Sequence, residues 1–459
     1  MTSKGQGSVL LTTTIASFST AFMGSSLNIA LPMMGREFGM DAVALGWIAT
    51  AYTLAVAIFL VPFGRAADIH GRKRVFAYGL AAYVVMTTLS VFATSGGALI
   101  GLRALQGASA AMMFATSSAI LSSAYPPNER GRVLGINVAS VYVGLSMGPF
   151  IGGILTQNLG WRSIFAVGAV VGAIAAVAAF RLKAEWAEAR GERFDWIGSV
   201  IYGAAIAVLM YGMSSLPALE GAILLAAGVL GIVGFVAWEA RVSAPILNLS
   251  LFRGNRVFAL SNLAALINYL ATTAVTFLLS LYLQYIKGLT PQNAGFILVA
   301  QPIMMAIFSP LAGRLSDRVE SRYVASAGMA LSAAGLVMMA FVGSNTSFAY
   351  IVASLLLVGV GFGLFSSPNM NAIMGSAERR LYGVASAILA TMRTVGQMLS
   401  LGLTLLLFSV IIGPVPVTPE VHPQFLQSVR IAFSVFSVLC FLGVFASMAR
   451  GNVREKGRV

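Results

Sequence analysis

The chain has 459 residues, 58% of them hydrophobic and only 10% charged, with 29 Lys+Arg against 15 Asp+Glu and a net charge of +14. A soluble domain carries roughly 25% charged residues on its surface, so this composition excludes a single soluble domain, a disordered chain and a coiled coil. Nucleic-acid binding is a poor account of the charge, because no basic domain separates from the apolar mass.

A helix crossing about 30 Å of hydrocarbon needs roughly 20 apolar residues. Charge-free stretches of that order run Gly5–Gly35, Ala42–Gly64, Val75–Leu102, Ala104–Asn128, Val133–Trp161 and Ser163–Phe180. The next are Trp196–Leu219, Gly221–Trp238, Val257–Ile286 and Gly288–Gly313. Tyr323–Ala377 is long enough for two spans divided near Asn345, and the last two lie in Leu381–Glu420, interrupted by Arg393, and Ile431–Ala449. The expectation is an all-α polytopic membrane protein with 14 transmembrane helices, since lipid offers free backbone groups no partner and the alternation of a membrane barrel is absent. The first stretch is too long for a signal peptide and counts as the first helix. Cys440 is the one cysteine, so no disulfide forms within the chain. Lys and Arg favour the cytoplasmic side. With both termini inside, 23 of the 29 basic residues fall on inner segments and only Arg36, Arg162, Lys287 and Arg430 on outer ones, with Arg103 and Arg393 inside helices. The predicted location is therefore a cell (inner or plasma) membrane, crossed many times, with both termini cytoplasmic.

The loop GRAADIHGRK beginning at Gly64 has a weaker copy, GRLSDRVESR, beginning at Gly313. Both follow an even-numbered helix, which is the pattern of a parallel repeat in a two-bundle transporter. The predicted organisation is a six-helix bundle over 1–182, a connection with two additional helices over 183–250, and a second six-helix bundle over 251–459.

Three motifs carry a resemblance. Gly64–Arg74, with Asp68, Gly71 and Arg72, resembles the loop motif of the major facilitator superfamily. LIGLRALQGASAA, with Arg103, Gln106 and Gly107, resembles its helix-4 motif, and Gly144–Gly153 resembles the helix-5 motif of its exporters. Pro368–Asn369 and the stretch ERRLYGVAS are similar to the fourteen-helix drug:proton antiporters of that superfamily. The resemblance implies the major facilitator fold: two six-helix bundles plus two linker helices. One departure stands out. The helix-1 ending Asn28-Ile29-Ala30-Leu31-Pro32 is intact, but Met23 occupies the position where these antiporters usually carry an Asp.

The resemblance implies a gating role for Gly64, Asp68, Gly71 and Arg72, for Asp317 in the second copy, and for Gly144, Gly148, Pro149, Gly152 and Gly153 in a bent, tightly packed helix 5. The bland alternatives are a solvated turn and ordinary glycine packing. Arg103 and Arg393 are intramembrane cations, which are functional-site candidates unless they only pin helices. Candidate substrate or coupling residues are Met23, Asn28, Arg103, Gln106, Asn137, Asn268, Gln301, Asn369 and Arg393, beside an adaptable apolar wall from Phe22, Tyr142, Tyr269 and Met304. Helix–helix hydrogen bonding is an equal reading for any one of them.

Enzyme chemistry finds no support: His70 and His422 lie in separate loops, and neither a metal-ligand cluster nor a P-loop occurs. The expected function is secondary export of hydrophobic drugs, dyes or lipophilic metabolites by a monomer, with the lipid bilayer and a small-molecule substrate as partners. No nucleic acid and no cofactor are expected, and the resemblance implies the proton as coupling ion. All 15 acids map to loops or helix ends, so the alternative is a facilitative or anion-exchanging carrier that uses Arg103 or Arg393. A helix-end acid such as Asp41 or Asp68 is then the expected carrier of any coupled proton.

Overall fold

The computed structural model describes residues 3–242, 245–247, 249–252, 254–377 and 382–451, with the backbone alone described at 3, 4, 127, 128, 249, 250 and 317. It divides into two compact units, Met1–Leu247 and Asn248–Val459.

The first unit holds α1 (Ser3–Phe38), α2 (Ala42–His70), α3 (Arg72–Val91), α4 (Gly96–Ala124), α5 (Pro127–Leu159), α6 (Arg162–Arg181), α7 (Trp196–Ser215) and α8 (Leu219–Glu239). The second holds α9 (Arg256–Thr272), α10 (Ala274–Tyr285), α11 (Pro291–Leu298), α12 (Ala300–Arg318), α13 (Ser321–Ala340), α14 (Phe348–Ser376), α15 (Tyr382–Ile411) and α16 (His422–Ala449). No strand occurs among the described residues. Several helices start where a short polar side chain satisfies an orphan N–H: Asp41 accepts from Ala44 at 2.7 Å, Asp195 from Gly198 at 2.9 Å and Asn255 from Phe258 at 3.1 Å.

Thirteen spans among the described residues are long and apolar enough to cross a membrane. The fourteenth long helix is α1, whose apolar character is diluted by Ser and Thr. Its hydroxyls turn back onto its own carbonyls, as Thr12 does to Ser8 and Thr20 to Ala16. Two predicted single spans are each interrupted. Between α9 and α10, Thr272 and Thr273 bond back to the Asn268 and Tyr269 carbonyls, and the Ala274 N–H donates to Ser400 Oγ. Just after the break between α11 and α12 lies Pro302, which has no N–H to continue the ladder.

The two units repeat one packing scheme. The pairs α1–α5, α2–α4, α3–α4, α3–α6 and α1–α6 in the first correspond to α9–α15, α12–α14, α13–α14, α13–α16 and α9–α16 in the second. The extra pair, α7 and α8, packs together, and α7 lies on α2. The seams depend on residues without side chains. A Cβ on Gly107 would stand 2.2 Å from the Tyr52 carbonyl oxygen on α2, and one on Gly396 2.5 Å from that of Leu266 on α9. On α5, Gly144, Gly148 and Gly152 lie against Phe18, Ser25 and Ser26 of α1, and the Ser26 hydroxyl donates to the Gly148 carbonyl at 3.0 Å. The span after α6 is not helical: residues 182–195 form turns and extended chain.

Gly107→Ala should therefore lower the unfolding midpoint of the detergent-solubilised protein, at a cost of about 1–3 kcal/mol for overpacking. Gly64→Ala, whose Cβ would meet Ala115 at an ordinary 3.7 Å, should leave the midpoint within error.

Candidate functional site

The loop joining α2 to α3 is folded under the segment that follows α6. Arg72 is buried: its Nε donates to Asp68 at 2.7 Å, Nη1 to Ser123 at 2.9 Å and Nη1 to Glu188 at 2.6 Å, while Nη2 donates to the other Glu188 oxygen at 2.9 Å. Backbone bonds fasten the same contact, from Arg72 N–H to the Trp186 carbonyl and from Ala189 N–H to the Asp68 carbonyl. Glu185 accepts from Lys73 N–H at 2.8 Å, and Glu192 pairs with Arg65 at 2.7 Å. Gly71 sits at φ +116°, and a Cβ there would lie 2.6 Å from the Glu185 carboxyl carbon. Only glycine serves in that conformation and that space. Residues 182–195 thus form an acidic strap over the basic loop. The alternating charges of RLKAEWAEARGERFD were its signal, since Glu185, Glu188 and Glu192 each find a cation or an N–H of the motif. A shallow groove of about 330 Å³ beside it is lined by His70, Arg74, Tyr78 and Arg190, away from the bundle interior.

Arg103 is fully enclosed within the first unit. Its Nε donates to the Ile48 carbonyl, Nη1 to Gln106 Oε1, and its guanidinium stands 4.3 Å from the centre of the Tyr52 ring. Gln106 passes the chain to Thr87 at 2.6 Å, which donates to the Tyr83 carbonyl. One polar thread thereby ties α2, α3 and α4, and no carboxylate joins it among the described residues. Met23 is buried next to the thread, its methyl against Gly168 of α6 and close to Thr87. Asn28 is half-buried on α1. Asn137 is half-buried on α5, with its carbonyl oxygen unpartnered. Pro149 and Gly153 are buried in α5. Gly64 lies beside Ala115 of α4.

In the second unit Arg393 is exposed in the middle of α15, 5.2 Å from the centre of the Tyr269 ring, which in turn stands edge-on to Phe362. Buried on α9 and α12, the Asn268 amide and the Gln301 carbonyl oxygen lack partners. Asn369 is buried elsewhere, donating to the Ser261 carbonyl and accepting from Arg450 at 2.8 Å. Arg450 is buried, although in sequence a cation just past the last span reads as a solvent-facing tail. The side chain of Asp317 lies outside the described residues. The structure thus gathers Arg103, Gln106 and Met23 in one place and Arg393, Tyr269 and Phe362 in another. Three of the four cations that the sequence assigns to the sparsely charged side bind backbone. Arg162 donates to the Val91 and Ala93 carbonyls, Lys287 to those of Ser344 and Thr346, and Arg430 to that of Val342. Those carbonyls are the loose ends at or after α3 and α13.

A paired, glycine-seamed helical bundle bearing these motifs defines a membrane transporter. The profile of the Major Facilitator Superfamily matches residues 13–261 and again 261–458, and the chain belongs to that family. It is 30% identical to the riboflavin transporter RibZ of Clostridioides difficile over 84% of each chain. It is also 30% identical to the multidrug resistance protein Stp of Mycobacterium tuberculosis over 81% of this chain and 70% of that one. The crystal structure of the peptide transporter POT with alafosfalin shares its fold, with a TM-score of 0.70 at 16% identity over 96% and 94% of the two chains.

The hydrogen bonds from Arg72 hold the Glu188 carboxyl below the usual carboxylate range. A carboxylate lowered in the folded state contributes stability above its unfolded pKa and loses it as pH falls through the lowered value. The protection factors of the Ala189 and Arg72 N–H groups, that is, exchange corrected for the intrinsic rate at each pH, should therefore be high at neutral pH and fall below about pH 4. Glu188→Gln should show faster exchange already at neutral pH, by up to about fivefold, the scale of a half-exposed ion pair.

Proposed function

We propose that the chain is a secondary exporter of hydrophobic small molecules, drug-like compounds or lipophilic metabolites, working by alternating access in exchange for protons. It acts as a monomer in the plasma membrane, with its termini and the strapped loop on the cytoplasmic side. The observation that carries the substrate class is Arg393, an exposed cation halfway along α15 with an aromatic ring beside it. Among the described residues, no acid stands in the middle of any helix to balance it. A cation at that depth persists where it meets water or an anionic partner. Neutral and anionic lipophilic substrates follow, rather than cationic dyes. The buried Met23 supports the same reading, because an apolar thioether stands where a cation-binding carboxylate would. Relatives named for multidrug resistance and for riboflavin transport support a small organic substrate. In this mechanism Asp68, Gly71 and Arg72 latch one state, Asp317 serves the second copy, and the α1–α5 glycine seam permits helix movement. Asp41 caps α2 and Asp68 is held by Arg72, so both already have structural roles. A second reading, an anion-exchanging metabolite carrier, is favoured by the same exposed Arg393.

Reconstituted transport with cationic, neutral and anionic compounds of similar size tests this. The expected outcome is pH-gradient-driven movement of neutral and anionic compounds. Arg393→Gln should reduce anionic transport about tenfold, the scale of one hydrogen bond to a charge, and leave neutral transport within about twofold. Saturable, proton-driven efflux of a divalent cationic dye would overturn the substrate class. Counterflow that needs internal substrate and ignores pH would select the exchanger.

A further inference from the structure

Where α7 begins and α8 ends, two acidic side chains are buried together. Asp195 is 8% exposed and Glu239 is 4% exposed. Asp195 caps α7, with Oδ1 accepting from Gly198 N–H at 2.9 Å and Oδ2 from the Trp238 indole at 2.9 Å. Glu239 Oε2 accepts from Leu247 N–H at 2.8 Å, and Glu239 Oε1 is buried without a partner. Both carboxyls border the same backbone position: a Cβ on Gly198 would lie 2.3 Å from Asp195 Oδ2 and 2.8 Å from Glu239 Oε1, so the two oxygens stand no more than about 5 Å apart.

Among the described residues, the surroundings supply no counter-charge. Helix α7 has no charged residue, and α8 has only Glu220 at its far end. Helix α2, packed on α7, brings Arg65, Asp68 and His70 to this end, but Arg65 is paired with Glu192 and Asp68 with Arg72, while His70 is exposed and bonded to the Ala66 carbonyl. Arg193 and Arg241, on the flanking segments, are exposed, and neither forms an ion pair with the two acids among the described residues. Two buried carboxylates side by side without a cation cannot both be ionised; one proton between them removes the repulsion and supplies the missing hydrogen bond.

We propose that Asp195 and Glu239 form a proton-binding site, with one proton from water held on Glu239 Oε1 and donated to Asp195 Oδ2. Releasing that proton leaves two adjacent negative charges, which must separate. Separation breaks the tie from Glu239 to Leu247 or the tie from Trp238 to Asp195. Proton occupancy therefore decides whether the segment after α8 stays fastened to the helix pair. The site stands apart from substrate identity and from what drives export.

Infrared pH-difference spectroscopy on the full chain in lipid nanodiscs reads the site directly, with Trp238 fluorescence as a second reporter. The wild type should show a protonated carboxyl band at neutral pH that disappears on alkaline titration, with a fluorescence step over the same range. Glu239→Gln should lose the band while keeping its helical circular dichroism, because the Gln amide can donate to Asp195 in the proton's place. Trp238→Phe should keep the band and lose the fluorescence step. Absence of the band at neutral pH in the wild type, or its persistence in Glu239→Gln, would overturn the proposal. Should Glu239→Gln fail to fold, the wild type and Trp238→Phe decide: a band with a step confined to Trp238 upholds the site, and no step overturns it.

Discussion

A hydrocarbon core supplies no water to a charge or to a free backbone group, and the placement of several of the described charged residues follows that fact. Asp41, Asp68, Glu37 and Asp195 lie at or beside helix ends, where an N–H, a guanidinium or an indole meets them. Three of the four cations on the sparse side are bound to carbonyls at the loose ends of α3 and α13. Arg103, which is deep, is enclosed by a carbonyl, an amide and a ring. Arg393 has only a ring and an open side, which sets it apart from Arg103 although both read alike as intramembrane cations.

The same constraint shapes the packing. Apolar helices gain nothing from leaving lipid for one another, so association rests on close contact and on hydroxyl-to-carbonyl bonds. The α1–α5 seam uses both, with three glycines on one helix and serines on the other. Its counterpart, α9–α15, uses Gly396 against Leu266. A repeat detectable in the sequence only as two loop motifs is thus written throughout the helix pairing.

The connecting segments carry more structure than their composition suggested. Residues 182–195, which the sequence marks only as part of a connection, are a strap held by backbone and carboxylate contacts to the α2–α3 loop. Helices α7 and α8, expected to be linker helices, meet where α7 begins and α8 ends in a buried pair of acids. In both places acidic residues that look solvent-exposed in a charged run are turned inward by partners far along the chain.

Hydropathy determined the helical class and nearly all the spans, because the length of an apolar run is a local property that lipid thickness reads directly. The basic loops determined the repeat, and Met23 announced the missing carboxylate. The breaks near Thr273 and Pro302 were partly legible in the residue types, but the hydrogen bond from Ala274 to Ser400 was not. Tertiary structure alone decided that Glu188 holds Arg72, that Arg450 reaches Asn369, that Arg103 is closed and Arg393 open, and that Asp195 faces Glu239. Each of these depends on which side chain meets a charge from another helix or from beyond the next loop. Spacing along the chain does not specify that meeting; close packing of the helices does.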